Sequence, residues 1–195
     1  SINGIKVTSI ASNAFRGNST IQTVTIPETI KVLDKDTFMG CSSLTTVNLS
    51  EGLERIGYEC FKNCGNLETI NFPSTITNIG DYAFDSSGLA QVELPDNAVL
   101  GQFLFQSCRK LKDVKLPANL VELPEQIFSF CTSLKEIEIP SKVKTIGKGA
   151  FLYSGLANIE IPYGVERLVE YSFSDCASLR YVVIPNSVKT IEAAS

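Results

Sequence analysis

Histidine is absent from this 195-residue sequence, and so is tryptophan. Without imidazole there is no Ser-His-Asp triad, no Cys-His pair and no histidine-ligated metal centre. Basic runs are missing too: 17 lysines and arginines stand against 21 acidic residues, a net charge of −4. That balance argues against nucleic acid and against an anionic membrane as partner. No uninterrupted apolar run approaches the ~18 residues a membrane-spanning helix needs, so no membrane insertion by this segment is expected. No leader is read in the opening "SINGIK", and "IPNSVKTIEAAS" stops where another phenylalanine is due. Both ends are therefore read as edges of a fragment of a longer protein. With 44% apolar and 19% charged residues, the chain has a globular rather than a disordered composition.

What is present is a repeat. Phenylalanine recurs at Phe15, Phe38, Phe61, Phe84, Phe105, Phe128, Phe151 and Phe173, in steps of 21 to 23 residues. Three positions after each stands a small polar or thiol side chain: Asn18, Cys41, Cys64, Ser87, Cys108, Cys131, Ser154 and Cys176. Five of the six cysteines thus share one slot with serine and asparagine. Cys60 precedes its phenylalanine, where other repeats carry Ala14, Ala83 and Ala150, so that slot is read as small and apolar. The two cysteines of "ECFKNC" are neighbouring positions of a ladder. Convergent thiolates with CxxC spacing would indicate zinc, and nothing of that kind is present. The thiols are expected buried, reduced and without metal; no cofactor is called for.

An aliphatic residue follows each phenylalanine by five or six positions, and then a short alternating segment ends in proline, as in "VTIP", "VELP" and "IEIP". Alternation at that length signals a half-buried strand, and proline stops its ladder. Val24 and Ile26 are expected inward, Thr23 and Thr25 outward. Beyond the proline come apolar pairs three apart, such as Ile30/Leu33 and Ile76/Ile79, often followed by a glycine (Gly57, Gly80, Gly147) read as a turn with positive φ. Pro124 argues against an α-helix through its arc. One such coil cannot bury its apolar face alone, so coils stack with parallel strands and a phenylalanine spine. The expected architecture is an α/β-type solenoid: a curved parallel sheet on the concave side and mostly irregular or short-helical return arcs. It forms one domain over residues 1–195, with about seven full repeats and partial coils at both ends.

The pattern LxxIxIPxxVxxIGxxAFxxC, clearest in "SLKEIEIPSKVKTIGKGAF" at residues 133–151, resembles the BspA-like, or Treponema pallidum-type, leucine-rich repeat. The resemblance covers the whole chain. It implies a bacterial cell-surface or secreted parent protein, and adhesion or ligand binding rather than catalysis. It carries no functional residues over, because the signature is structural.

Ligand recognition then falls to the outward strand positions. The first three coils offer only Thr23, Thr25, Thr46, Asn48, Thr69 and Asn71. The next four carry Gln91 and Glu93, Asp113 and Lys115, Glu136 and Glu138, Asn158 and Glu160, and the last carries Tyr181 and Val183. One reading makes this a solvated sheet face. The other makes Glu93, Asp113, Lys115, Glu136, Glu138, Glu160 and Tyr181 a binding patch for an extracellular protein or glycan, with the exposed aromatic as anchor. Glu136, Glu138 and Glu160 lie close enough for glycoside hydrolysis in principle, but a gently concave sheet offers no cleft to raise one carboxyl pKa, so no catalytic residue is assigned. Calcium would need oxygen ligands on all sides, and a sheet face supplies one. Phe130 and Tyr153, two positions after their spine phenylalanines, form a candidate exposed aromatic pair on the convex side. Lys142, Lys144 and Lys148 are read as a solvated arc. The alternative to a binding module is a structural spacer that displays other domains.

Overall fold

The computed structural model describes residues 7–195, and the architecture below refers to them. Fifteen strands follow in chain order: β1 (Thr23–Ile26), β2 (Val32–Leu33), β3 (Thr46–Leu49), β4 (Arg55–Ile56), β5 (Thr69–Asn71), β6 (Asn78–Ile79), β7 (Gln91–Glu93), β8 (Val99–Leu100), β9 (Asp113–Lys115), β10 (Glu122–Leu123), β11 (Thr145–Ile146), β12 (Asn158–Glu160), β13 (Arg167–Leu168), β14 (Tyr181–Val183) and β15 (Thr190–Ile191). Every pairing is parallel and joins one coil to the next. Among the described residues there is no helix, so the expected α/β class is corrected to a β-solenoid with helix-free arcs.

The expected strands form one face in three pieces, β1-β3-β5, β7-β9 and β12-β14. Their alternation is as read: Ile26, Val47, Leu49, Val92 and Ile159 are buried, and Thr23, Thr25, Asn48, Gln91 and Glu93 are exposed. The proline that ends each strand also starts a turn. Its carbonyl accepts the N–H three residues on, Ile30 to Pro27 at 3.0 Å and Ile76 to Pro73 at 3.2 Å. Ser50 does the same for Leu53 at 3.3 Å, so the slot needs a chain reversal more than it needs proline. After this turn comes a second ladder that the sequence reading missed. The second members of the apolar pairs, Leu33, Ile56 and Ile79, together with Leu100 of the shortened repeat, are strand residues of β2-β4-β6-β8, and β10-β11-β13-β15 continues the pattern.

The arc satisfies its backbone by a strict alternation, shown by the coil of Phe38. The N–H groups of Asp36, Phe38 and Gly40 donate to Tyr58, Cys60 and Lys62 of the next coil at 2.8–2.9 Å. Those of Met39 and Cys41 donate back three residues, to Asp36 and Phe38. Aiming every second N–H along the stack requires a left-handed residue two before and two after the spine phenylalanine. These are Asn13 and Gly17, Asp36 and Gly40, Glu59 and Asn63, Tyr82 and Ser86, Phe103 and Ser107, Gln126 and Phe130, Gly149 and Tyr153, and Tyr171 and Asp175. For a residue with a Cβ this conformation costs about 1–2 kcal/mol. An unpaired buried backbone group costs a similar amount or more, which is why the arc accepts it repeatedly.

The glycines play a different part from the one expected. Gly57, Gly80 and Gly147 do not have positive φ. A Cβ on Gly80 would stand 2.8 Å from the Tyr58 nitrogen, and one on Gly147 would stand 2.3 Å from the Leu123 oxygen. They are glycine because successive coils touch there, backbone to backbone. Gly155, in the shortened "YSGL" connection, approaches the Thr132 carbonyl in the same way.

The phenylalanine spine is continuous. Successive rings from Phe15 to Phe173 stack at 5.2–5.9 Å with interplanar angles of 18° or less. The six from Phe38 to Phe151 are fully buried, each contributing about 1.5–3 kcal/mol by burial. Phe15, on the first coil, remains 39% exposed. The slot before the phenylalanine is buried but not restricted to small residues, since Leu104 and Ile127 fill it as completely as Cys60 and Ala83.

Candidate functional site

The outward strand residues from Asn71 onward line one open trough of about 1380 Å³. It holds all seven residues singled out in the sequence: Glu93, Asp113, Lys115, Glu136, Glu138, Glu160 and Tyr181. Each is exposed. Parallel pairing sets their neighbours: Gln91 beside Asp113, Glu93 beside Lys115, Asn158 beside Tyr181 and Glu160 beside Val183. Glu93 and Lys115 form an ion pair, and that carboxylate holds the Lys115 ammonium above its usual range. Asp113, Glu136, Glu138 and Glu160 form no ion pair or side-chain hydrogen bond among the described residues.

Glu136 and Glu138 lie on a segment, 136–139, that belongs to no strand, between β9 and β12. The face is also interrupted between β5 and β7. That break, and the one before β12, follow the shortened connections at Gly88 and Gly155. No residue is lost between β9 and segment 136–139, and there the repeat places Asp113 beside Glu136. Like charges side by side on neighbouring strands destabilise the pairing.

One trough residue escaped the sequence reading. Tyr163 lines the trough and is 77% exposed, compared with 57% for Tyr181. A signal existed. The position after the strand-ending proline is otherwise Glu28, Ser74, Asp96, Ala118, Ser141 or Asn186, so an aromatic there is out of pattern.

The cysteines are all free and buried. Each ladder thiol donates to the spine phenylalanine carbonyl of the preceding coil: Cys41 to Phe15, Cys64 to Phe38, Cys108 to Phe84, Cys131 to Phe105 and Cys176 to Phe151, at 3.0–3.2 Å. The Ser87 and Ser154 hydroxyls sit 3.2 and 3.3 Å from the sulfurs of Cys108 and Cys176. Burial pushes the Cys64 and Cys108 thiols up to about 12, far from the thiolate that redox or metal chemistry needs. Among the described residues, no three acidic, cysteine or histidine side chains converge to hold a metal ion.

Outside the trough, Phe130 and Tyr153 stack at 4.9 Å, with Tyr153 46% exposed. A second stacked pair, Tyr82 and Phe103 at 4.5 Å, was not anticipated. Lys62 bridges Glu59 at 2.7 Å and Asp85 at 3.5 Å, its ammonium 4.7 Å from the Tyr82 ring centre. These groups clamp adjacent coils. Of the arc lysines, Lys148 pairs with Glu170, Lys142 bonds Asn119, and Lys144 donates to the Gly164 carbonyl.

The fold is shared with solved bacterial proteins. A leucine-rich repeat protein from Bacteroides ovatus superposes with a TM-score of 0.74 at 24% identity, over 93% of this chain and 65% of that one. The T. pallidum leucine-rich repeat protein gives 0.72 at 27%, over 91% and 74%. A leucine-rich cell surface protein of Faecalibacterium prausnitzii gives 0.56 at 28%, over 88% and 62%. The chain thus spans less than two thirds of the Bacteroides and Faecalibacterium proteins. No curated protein matches it. The model of the BspA-type leucine-rich repeat region, in six copies, matches residues 3–108 and 79–195, and the chain belongs to that family.

Proposed function

We propose that this segment is a non-catalytic cell-surface binding module that takes a protein or glycan ligand on its strand face. One observation carries the reading: the outward residues that depart from the neutral Thr/Asn pattern all line a single open trough. Surface display is supported by similarity to a protein described as a leucine-rich cell surface protein. The trough is open and its carboxylates are solvated, a setting suited to reversible contact rather than to acid catalysis. The second reading is a spacer that displays other domains, favoured by the unbroken phenylalanine spine, which makes a stiff stack.

Solid-phase or biolayer binding to a panel of extracellular proteins and glycans tests the choice, comparing wild type with Glu136→Lys/Glu138→Lys. Both side chains point to solvent, so the fold should survive. The module reading expects a panel ligand whose binding the double reversal weakens. Unchanged affinity for a confirmed ligand would move the site off this face, and a panel with no ligand favours the spacer.

A further inference from the structure

Several charged side chains find counter-ions one coil away. Lys31 lies 3.8 Å from Glu54, Lys189 is 2.6 Å from Glu166, and Lys148 and Arg167 pair with Glu170 and Glu192. Four carboxylates in the C-terminal half of the trough do not. Asp113, Glu136, Glu138 and Glu160 form no ion pair; Lys115, which the repeat sets beside Glu138, pairs with Glu93 instead. The repeat sets Glu136 against Asp113 and Glu138 against Glu160, and segment 136–139 makes no strand ladder. Four unpaired carboxylates gathered in one trough give it an acidic surface that a cationic ligand complements. Two exposed tyrosines, Tyr163 and Tyr181, stand in the same trough.

We propose that this half of the trough holds an extended, arginine-rich peptide segment, with guanidinium groups on the carboxylates of Glu136, Glu138 and Glu160 and against the rings of Tyr163 and Tyr181. The proposal rests on the strand-face reading above and names the chemistry of its ligand. A compact metal ion does not fit, since no three ligands converge. The carboxylates are spread along the trough, about 4.8 Å per coil and about 6.6–7 Å between alternate residues of one strand. An extended peptide presents every second side chain at that same interval. The tyrosines select arginine over lysine: a planar guanidinium binds a carboxylate with two parallel bonds and stacks on an aromatic face, whereas an ammonium does so less well.

The test is fluorescence anisotropy with labelled decapeptides of alternating Gly-Arg, Gly-Lys and Gly-Gln. The proteins are wild type, Glu136→Gln/Glu138→Gln, Tyr163→Ala/Tyr181→Ala, and the charge-matched control Glu28→Gln/Glu68→Gln, whose side chains lie outside the trough. Circular dichroism checks each fold. Wild type should prefer the arginine peptide to the lysine peptide by about two- to fivefold and bind the glutamine peptide least. The glutamate pair should weaken arginine-peptide binding about tenfold, while the control stays within about twofold. The tyrosine pair should abolish the preference for arginine. Equal binding of arginine and lysine peptides, or an equal loss in the control, overturns the proposal as non-specific attraction. So does binding of a panel ligand through the trough without arginine-peptide binding, and in that case the strand-face reading stands. Peptide binding lost in Tyr153→Ala but kept in the trough variants overturns both.

Discussion

The two halves of the strand face are built on the same coil, yet their outward residues do different things. In the N-terminal half, Thr23, Thr46 and Thr69 stand in register, as do Thr25, Asn48 and Asn71, and β1-β3-β5 is unbroken. Where β5 stops one residue short of β3, Asn71 completes the ladder with its side chain. Its amide donates to the Leu49 carbonyl at 2.9 Å and accepts the Leu49 N–H at 3.1 Å. In the C-terminal half the same positions carry carboxylates, and the strand containing Glu136 and Glu138 has dropped out of the sheet. Outward residues in the first half support the sheet; in the second, Glu93 and Lys115 pair across β7-β9, but Asp113, Glu136, Glu138 and Glu160 face solvent without an ion pair. On a scaffold whose coils are otherwise alike, that contrast locates recognition better than exposure does, since both halves are exposed.

The strongest challenge to the comparison is whether the halves fold as one. Phe84 stacks on Phe61 on one side and Phe105 on the other, at 5.4 and 5.7 Å, near the boundary between the halves. Phe84→Ala should cost about 3–5 kcal/mol in urea unfolding and keep a single transition. Two transitions would show that the halves melt independently.

The alkaline limb probes both halves at their buried thiols. An unfolded thiol ionises near 9, whereas Cys64 in one half and Cys108 in the other stay protonated up to about 12. Above pH 9 the unfolded chain therefore binds fewer protons than the folded one, so stability should fall as pH rises from about 9 toward 12. Cys64→Ser/Cys108→Ser should flatten that limb in chemical unfolding, and native thiols should react slowly with a disulfide reagent at pH 8.

Asn71→Ala removes two hydrogen bonds from the N-terminal half and should cost about 1 kcal/mol, read as a lower urea midpoint. In the other half the sign should reverse. Glu136→Thr/Glu138→Thr should stabilise by about 0.5–1 kcal/mol at low salt and slow amide exchange over residues 136–139. A loss of stability there would mean that the carboxylates are not what opens the sheet. Thr69→Ala, which truncates an outward side chain without touching the backbone ladder, should cost about 0.5 kcal/mol or less.

Much of this was legible beforehand. The spine, the thiol ladder and the sidedness of the strands recur in nearly every coil, so one irregular copy does not mislead. The seven trough candidates followed from strand alternation together with their charge or aromatic character. The helical component was the error: an apolar pair three apart suits a helical turn, but here it runs from the end of a β-turn into a two-residue strand. The positive-φ glycines were the second error, because glycine serves both left-handed backbone and close approach, and the residue type does not say which.

The sequence by itself determined the period, the inward residues and the family, because these rest on side-chain size and polarity repeated along the chain. The tertiary structure alone decided which backbone groups point along the stack, and hence that bulky residues such as Tyr82 and Phe103 take left-handed conformations. It also decided which charges have partners. Whether Lys115 neutralises Glu93 or Glu138 depends on which of two neighbouring coils its ammonium reaches, and strand alternation constrains only the face, leaving the direction along the stack open.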